Sequence, residues 1–153
     1  MGAAGSDTNR DLLKAGMAAT EAGDYRKGYD TLRSFYGEKL EPVDGLSHLG
    51  LCVAVIEKQT RKGMQLCKAA LKAQFYEPAH HINLIKLYLE RDDRKNAVKA
   101  LEQALRQMPG NAEINRIRAR IRYRRRAHPM IPFLSRDNPI NVIFGRIRAL
   151  LWK

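Results

Sequence analysis

The chain has 153 residues, 29% of them charged and 44% hydrophobic, which suits one domain with a moderate core. No run of ~18 apolar residues is present to cross a membrane. Charge is lopsided: residues 1–113 hold 17 Lys and Arg against 15 Asp and Glu, net +2, whereas residues 114–153 hold 11 against Asp137 alone, net +10. A near-neutral body with a basic appendage implies an anionic partner.

Residues 1–8 are small and polar and read as a flexible tail. They lack an apolar signal core, so a cytoplasmic location is expected. Met1-Gly2 with Ser6 fits the loose myristoylation pattern, a match short enough to arise by chance. A first helix is expected from about Thr8 to Ala22, capped by Asp7 or Thr8 and closed by Gly23, where a left-handed residue is cheap. Asp24 should cap a second helix, Tyr25 to Tyr36, ended by Gly37. After the link Glu38 to Val43, Asp44 opens a third helix that runs to Glu57, and Thr60 caps a fourth that ends near Ala73. Pro78 to Gly110 reads as two antiparallel helices broken at Asp92-Asp93-Arg94 and stopped at Met108-Pro109-Gly110.

Asn111 then caps a helix expected over Ala112 to Ala127, with Ile114, Ile117 and Ile121 as its apolar stripe. Arg116, Arg120 and Tyr123 share the opposite face, and Arg118, Arg122, Arg124, Arg125 and Arg126 complete seven arginines. A solubilising helix would more often alternate Glu with Lys, and the planar guanidinium suits carboxylate or phosphate. The prolines in His128-Pro129-Met130-Ile131-Pro132 force an extended path. Asn138 and Pro139 then start a final helix. Ile140, Ile143, Phe144, Ile147, Leu150 and Leu151 gather within about a 120° arc of it, and Trp152 lies at its end. This last helix has three possible homes: its own repeats, a partner or another copy, or an anionic membrane surface.

The body is repetitive. Moving back 34 from Ala97, Leu101, Ala104 and Leu105 reaches Gly63, Cys67, Ala70 and Leu71, and moving back 35 more reaches Gly28, Leu32, Phe35 and Tyr36. Gly16, Gly50 and Leu84 follow the same period in the first helices of each pair. A helical hairpin cannot bury its apolar side alone, so a stack of such pairs is implied.

The period and residue types resemble the tetratricopeptide repeat family. Tyr88, Ala97, Leu101, Ala104 and Pro109 carry the likeness in the third copy, Gly50, Gly63, Ala70 and Leu71 in the second, and Gly16, Gly23-Asp24-Tyr25 and Leu32 in the first. Gly28 and Phe35 stand where Ala is usual, and no copy has the opening Trp. The resemblance implies an all-α, right-handed α-solenoid of three hairpins, about 9–42, 43–77 and 78–110. A basic capping helix (111–127) and a Pro-containing segment with an amphipathic helix (128–153) complete the organisation. It also implies a concave groove lined by Arg10, Leu13, Lys14, Met17 and Glu21, by Ser47, His48 and Leu51, and by Ile82, Asn83, Lys86 and Leu89. Arg116, Arg120 and Tyr123 would continue the wall. Leu13 and Met17 stand where the family's chaperone-tail binders have Lys and Asn, which leaves the groove apolar at one end and basic at the other.

Chemistry beyond binding is not signalled. There is no glycine-rich phosphate loop, GxSxG or HExxH. Cys52 and Cys67 occupy apolar helix positions as expected of buried thiols; with His48, His80 or His81 they could form a zinc set, but no CxxC supports one. The expectation is a non-enzymatic adaptor or assembly factor, without metal or cofactor, for a partner segment with apolar anchors and acidic residues. Docking of the tail on the inner face of a membrane is the alternative. Nucleic-acid binding ranks last, because Tyr123 is the one aromatic near the arginines able to stack on a base.

Overall fold

The computed structural model describes residues 3–37 and 39–121, and it is all-helical over them. The seven described helices are α1 (Ala3–Glu21), α2 (Tyr25–Tyr36), α3 (Leu46–Ile56), α4 (Thr60–Ala73), α5 (Pro78–Glu90), α6 (Arg94–Gln107) and α7 (Ala112–Arg120). They pair as hairpins α1–α2, α3–α4 and α5–α6, with α7 against α6. This is the expected α-solenoid of tetratricopeptide-like hairpins.

Local chemistry explains most of the boundaries. The Asp24 carboxylate accepts from the Lys27 N–H at 3.1 Å and opens α2, and Asp93 does the same for Asn96 at 3.2 Å in α6. Asn111 accepts from Glu113 and Ile114, both at 3.0 Å, and opens α7. The turn inside each hairpin uses one left-handed residue: Gly23 at φ 88°, Lys58 at φ 58° and Asp92 at φ 53°. These positions repeat with the period of the sequence.

Four boundaries differ from expectation. Helix α1 starts at Ala3, and so takes in most of the segment expected to be a loose tail. A cap side chain is a preference of about 1 kcal/mol, which does not by itself fix where a helix starts. Asp44 does not open α3; Gly45 is its N-cap, and Asp44 accepts from the Gln74 side chain at 2.7 Å. Thr60 is the first residue of α4, with Gln59 in the cap position and no side-chain cap bond. Helix α7 closes at Arg120, where Ile121 turns to extended backbone (φ −73°, ψ 93°), short of Ala127. Tyr123, the further arginines and the final-helix residues Ile140, Ile143, Phe144, Ile147, Leu150, Leu151 and Trp152 lie outside the described residues.

The apolar interior runs through three clusters, each fed by neighbouring hairpins. Leu13, Leu32, Tyr36, Leu46, Leu49, Val53, Leu66 and Ala70 join α1–α2 to α3–α4. Leu51, Ala54, Met64, Cys67, Leu84 and Leu87 join α3–α4 to α5. Ile82, Ile85, Ala97, Leu101 and Ala104 close around Ile114 of α7, with Ile117 and Ile121 packed on the outside. The isoleucine stripe thus covers the last hairpin, as a terminal cap must in a repeat array. Small residues sit where helices touch. A Cβ on Gly63 would strike the Gly50 carbonyl and lie 2.8 Å from the Ala54 methyl carbon, so α3 and α4 approach here backbone to backbone. Gly28 is likewise set against Thr20 of α1.

Candidate partner-binding site

Helices α1, α3 and α5, the first members of the three hairpins, and the capping helix α7 each send side chains to one pocket of about 170 Å³. Its wall comprises Glu21 of α1, His48 of α3, Glu77 to Ala79, Ile82, Asn83 and Lys86 at and along α5, and Glu113 of α7. Helix α3 brings His48 there because it packs against α1, α2, α4 and α5 at once. Nine consecutive residues, Leu46 to Ala54, are buried as a result, polar ones included.

From Asn83 in the pocket wall runs a chain of polar groups, buried at Asn83, Ser47 and His80 and reaching the surface at Gln74 and Asp44. Asn83 Nδ2 donates to Ser47 Oγ at 3.0 Å, and Ser47 Oγ meets His80 Nδ1 at 2.8 Å. His80 Nε2 meets Gln74 Oε1 at 2.9 Å, and Gln74 Nε2 donates to Asp44 at 2.7 Å. One assignment satisfies every member: His80 neutral, its proton on Nε2 and its Nδ1 accepting from the Ser47 hydroxyl. Burial lowers the His80 pKa below its usual value, opposed by the nearby Glu77 charge, and that favours the neutral ring. His81 is buried beside it. Its Nε2 donates to the Phe75 carbonyl at 2.8 Å, and burial lowers its pKa as well.

His48 differs from these two. It is fully buried, and its Nε2 lies 3.3 Å from Glu21 Oε1. A carboxylate only accepts, so Nε2 carries the proton. Burial lowers the His48 pKa more than the Glu21 carboxylate raises it. The ring is then neutral, and Nδ1 is a bare acceptor. Among the described residues, that Nδ1 is the one buried side-chain nitrogen or oxygen without a partner.

Of the residues expected on the binding face, His48, Ile82, Asn83 and Lys86, with Glu21, meet in the pocket. Arg10 and Lys14 are exposed on α1 and Met17 is half-buried. Leu89 is 38% exposed, and Arg116 and Arg120 are exposed on α7. Ser47 belongs to the polar chain. Leu13 and Leu51 are drawn into the first two apolar clusters at 7% and 0% exposure, because α1 and α3 are packed on the sides that carry them. His48, Ile82 and Asn83 are no more exposed, at 0%, 4% and 1%, so of the expected residues in the pocket wall Glu21 and Lys86 alone have appreciable surface.

Glu77 and Glu113 were not foreseen. Both fall at helix starts, where a carboxylate complements the dipole, and that local role hides a shared location across the chain. The pocket therefore has three carboxylates against one ammonium, unlike the basic wall expected at this end. Cys52 contacts the Thr20 hydroxyl at 3.3 Å, and the Cys67 thiol, pushed up to about 12 by burial, donates to the Ser47 carbonyl at 3.4 Å. The thiols and imidazoles weighed as a zinc set are thus held in separate contacts. Among the described residues no three His, Cys, Asp or Glu converge as a metal set.

No protein-family profile matches the chain, and no curated protein matches it by sequence. Solved structures do match in fold. A chain of the Naa15/Naa10 complex bound to HypK-THB superposes with a TM-score of 0.58 and 21% identity, covering 71% of this chain and 16% of that one. A MamA mutant superposes with a TM-score of 0.56 and 20% identity, covering 71% of this chain and 63% of that one. The chain spans less than two thirds of either. At such identities the likeness is one of fold, a tetratricopeptide-like helical solenoid. No helix among the described residues is long and apolar enough to cross a membrane.

Proposed function

We propose that this chain is a protein-interaction adaptor or assembly factor that holds a segment of a partner protein against its α1–α3–α5–α7 face. The observation that carries this reading is the convergence of all four helices on one pocket whose wall is continuous with a buried polar chain. Burying Ser47, His80 and Asn83 where leucines would pack as well is unfavourable unless they are hydrogen-bonded. A satisfied polar row instead fixes the pocket wall in a single arrangement, as a recognition surface requires. The Naa15/Naa10 structure, of like fold, is bound to HypK-THB, which supports a protein ligand. Exposed Leu89 offers an apolar contact, and Arg116 and Arg120 beyond the pocket offer a place for acidic residues of the partner.

The test is co-purification from the source cell with the native chain and with Arg116→Glu/Arg120→Glu. A partner recovered by the native chain should fall at least about fivefold with the variant, while helical circular dichroism is unchanged. Equal recovery removes Arg116 and Arg120 from the interface.

A further inference from the structure

The second helix of each hairpin turns one face away from the apolar core, and the charge on that face differs between repeats. In α4, Arg61, Gln65, Lys68 and Lys72 lie within about a 60° arc, opposite buried Gly63, Cys67 and Ala70. Moving on 34 residues, Lys95, Lys99, Glu102 and Arg106 form the equivalent stripe of α6, opposite buried Ala97, Leu101 and Ala104. All eight are exposed. The six cations stand with one carboxylate, and none of the six is in an ion pair among the described residues. Lys68 and Lys72, like Lys95 and Lys99, are four apart and repel each other. In α2 the same positions are Arg26, Asp30 and Arg33. There Arg26 pairs with Asp30 at 3.3 Å, and Arg33 lies 4.0 Å from Glu57. The first hairpin thus keeps its outer face soluble with paired signs, whereas the next two replace the Asp30 carboxylate by Gln65 and Lys99.

We infer that the exposed stripes of α4 and α6 form a docking surface for an anionic phospholipid bilayer. Unpaired cations on two neighbouring repeats are complementary to a negative surface potential. Neither helix contains an aromatic residue, so the face has nothing to stack on a base and no aromatic anchor for a protein interface. The large apolar residues exposed among the described ones, Leu12, Leu40, Tyr76 and Leu89, all lie outside α4 and α6. Contact is therefore with headgroups and not with acyl chains. Four of the six cations are lysine, a point charge suited to a diffuse layer of lipid phosphates, where the ordered phosphates of a nucleic acid favour the guanidinium fork. Neither helix lines the pocket, so the inference is independent of the adaptor reading. It also differs from docking of the tail, since the contact is made by the folded repeats.

The experiment is co-sedimentation of the full chain with vesicles of phosphatidylcholine, pure or with about a third phosphatidylserine, at ~0.15 M salt. The chain should bind the mixed vesicles, leave the neutral ones, and be released at ~0.5 M salt. Lys68→Gln/Lys72→Gln/Lys95→Gln/Lys99→Gln should weaken binding at least about tenfold, with helical circular dichroism unchanged. Arg122→Gln/Arg124→Gln/Arg125→Gln/Arg126→Gln removes the same charge from the tail and should weaken binding less. The inference is overturned by no binding to the mixed vesicles, by binding that survives ~0.5 M salt, or by a tail variant as weak as the lysine variant. Tighter binding to duplex RNA than to the mixed vesicles, lost with the same four lysines, also overturns it and assigns the face to nucleic acid.

Discussion

In the hairpin α5–α6, each local feature agrees with the backbone. Pro78 is in the first turn of α5, Asp93 caps α6, Asp tolerates the left-handed turn at position 92, and Ala97 fits the crevice between the two helices. The hairpin α3–α4 has the same plan with few of those features. Gly45 and Gln59 cap without side-chain bonds, Lys58 is forced to φ 58°, and glycine stands in mid-helix at 50 and 63. What it has instead is position. Helix α3 lies among four neighbours, and burial of Leu46, Leu49, Leu51 and Val53 supplies what local propensity does not, at ~1.5–3 kcal/mol for each large side chain. In a repeat array the middle unit can be locally weak because both flanks support it, and a unit nearer the end must be better made.

The comparison can be tested hardest at equivalent crevice positions. Gly63→Ala should destabilise the chain by about 2–3 kcal/mol, because the new methyl meets a backbone carbonyl that cannot turn aside. Ala97→Gly should also destabilise, by about 1–2 kcal/mol, through lost helix propensity and a lost buried methyl. Urea denaturation of both variants is the measurement. A neutral or stabilising Gly63→Ala would mean that α3 and α4 are not in backbone contact.

These small residues were also what made the fold legible in advance. Their 34–35 residue period marks the places where helices touch, and a contact between backbones tolerates only Gly or Ala. The limits of α2 were equally plain, with Asp24 before them and Gly37 after. The polar row was not legible. Ser47, His48, His80 and Asn83 have the residue types of a solvent face, and periodicity within one helix does not show that a neighbouring hairpin covers it. Glu77 and Glu113 were hidden for a similar reason: they come from the starts of two different helices and share no spacing with Glu21. Nor was Lys58 legible as a turn, because a left-handed lysine has no sequence signature and is imposed by the packing of the helices on either side.

A smaller effect separates the seam between these hairpins from the rest of the molecule. His48, His80 and His81 all have their pKa lowered by burial. The folded state therefore holds them neutral while the unfolded chain protonates near pH 6.5. Their contribution is fully present above that pH and is lost as pH falls through the folded values, so stability must decline on acidification. For His48 the loss is moderated by Glu21, whose charge raises the pKa in part, and sharpened by Lys86, which lowers it. Urea midpoints at pH 8, 6.5, 5.5 and 4.5 should fall steadily below about pH 6.5. A flat profile down to pH 4.5 would show that the rings are solvated or already charged, and the polar chain built on a neutral His80 would not hold.

The smallest effect lies in the turns. Glycine at the left-handed position should relieve Lys58 of a strain of about 1–2 kcal/mol and forfeit about 0.5–1 kcal/mol of unfolded-state entropy. Lys58→Gly should therefore stabilise the chain by about 0.5–1 kcal/mol, read as a raised urea midpoint with unchanged slope. Asp92→Gly should gain less, because a short polar side chain already tolerates that conformation. The order of the two gains is what matters. If Asp92→Gly stabilises more than Lys58→Gly, the hairpin α5–α6 holds the greater strain, and the middle hairpin is not the one that depends on its neighbours.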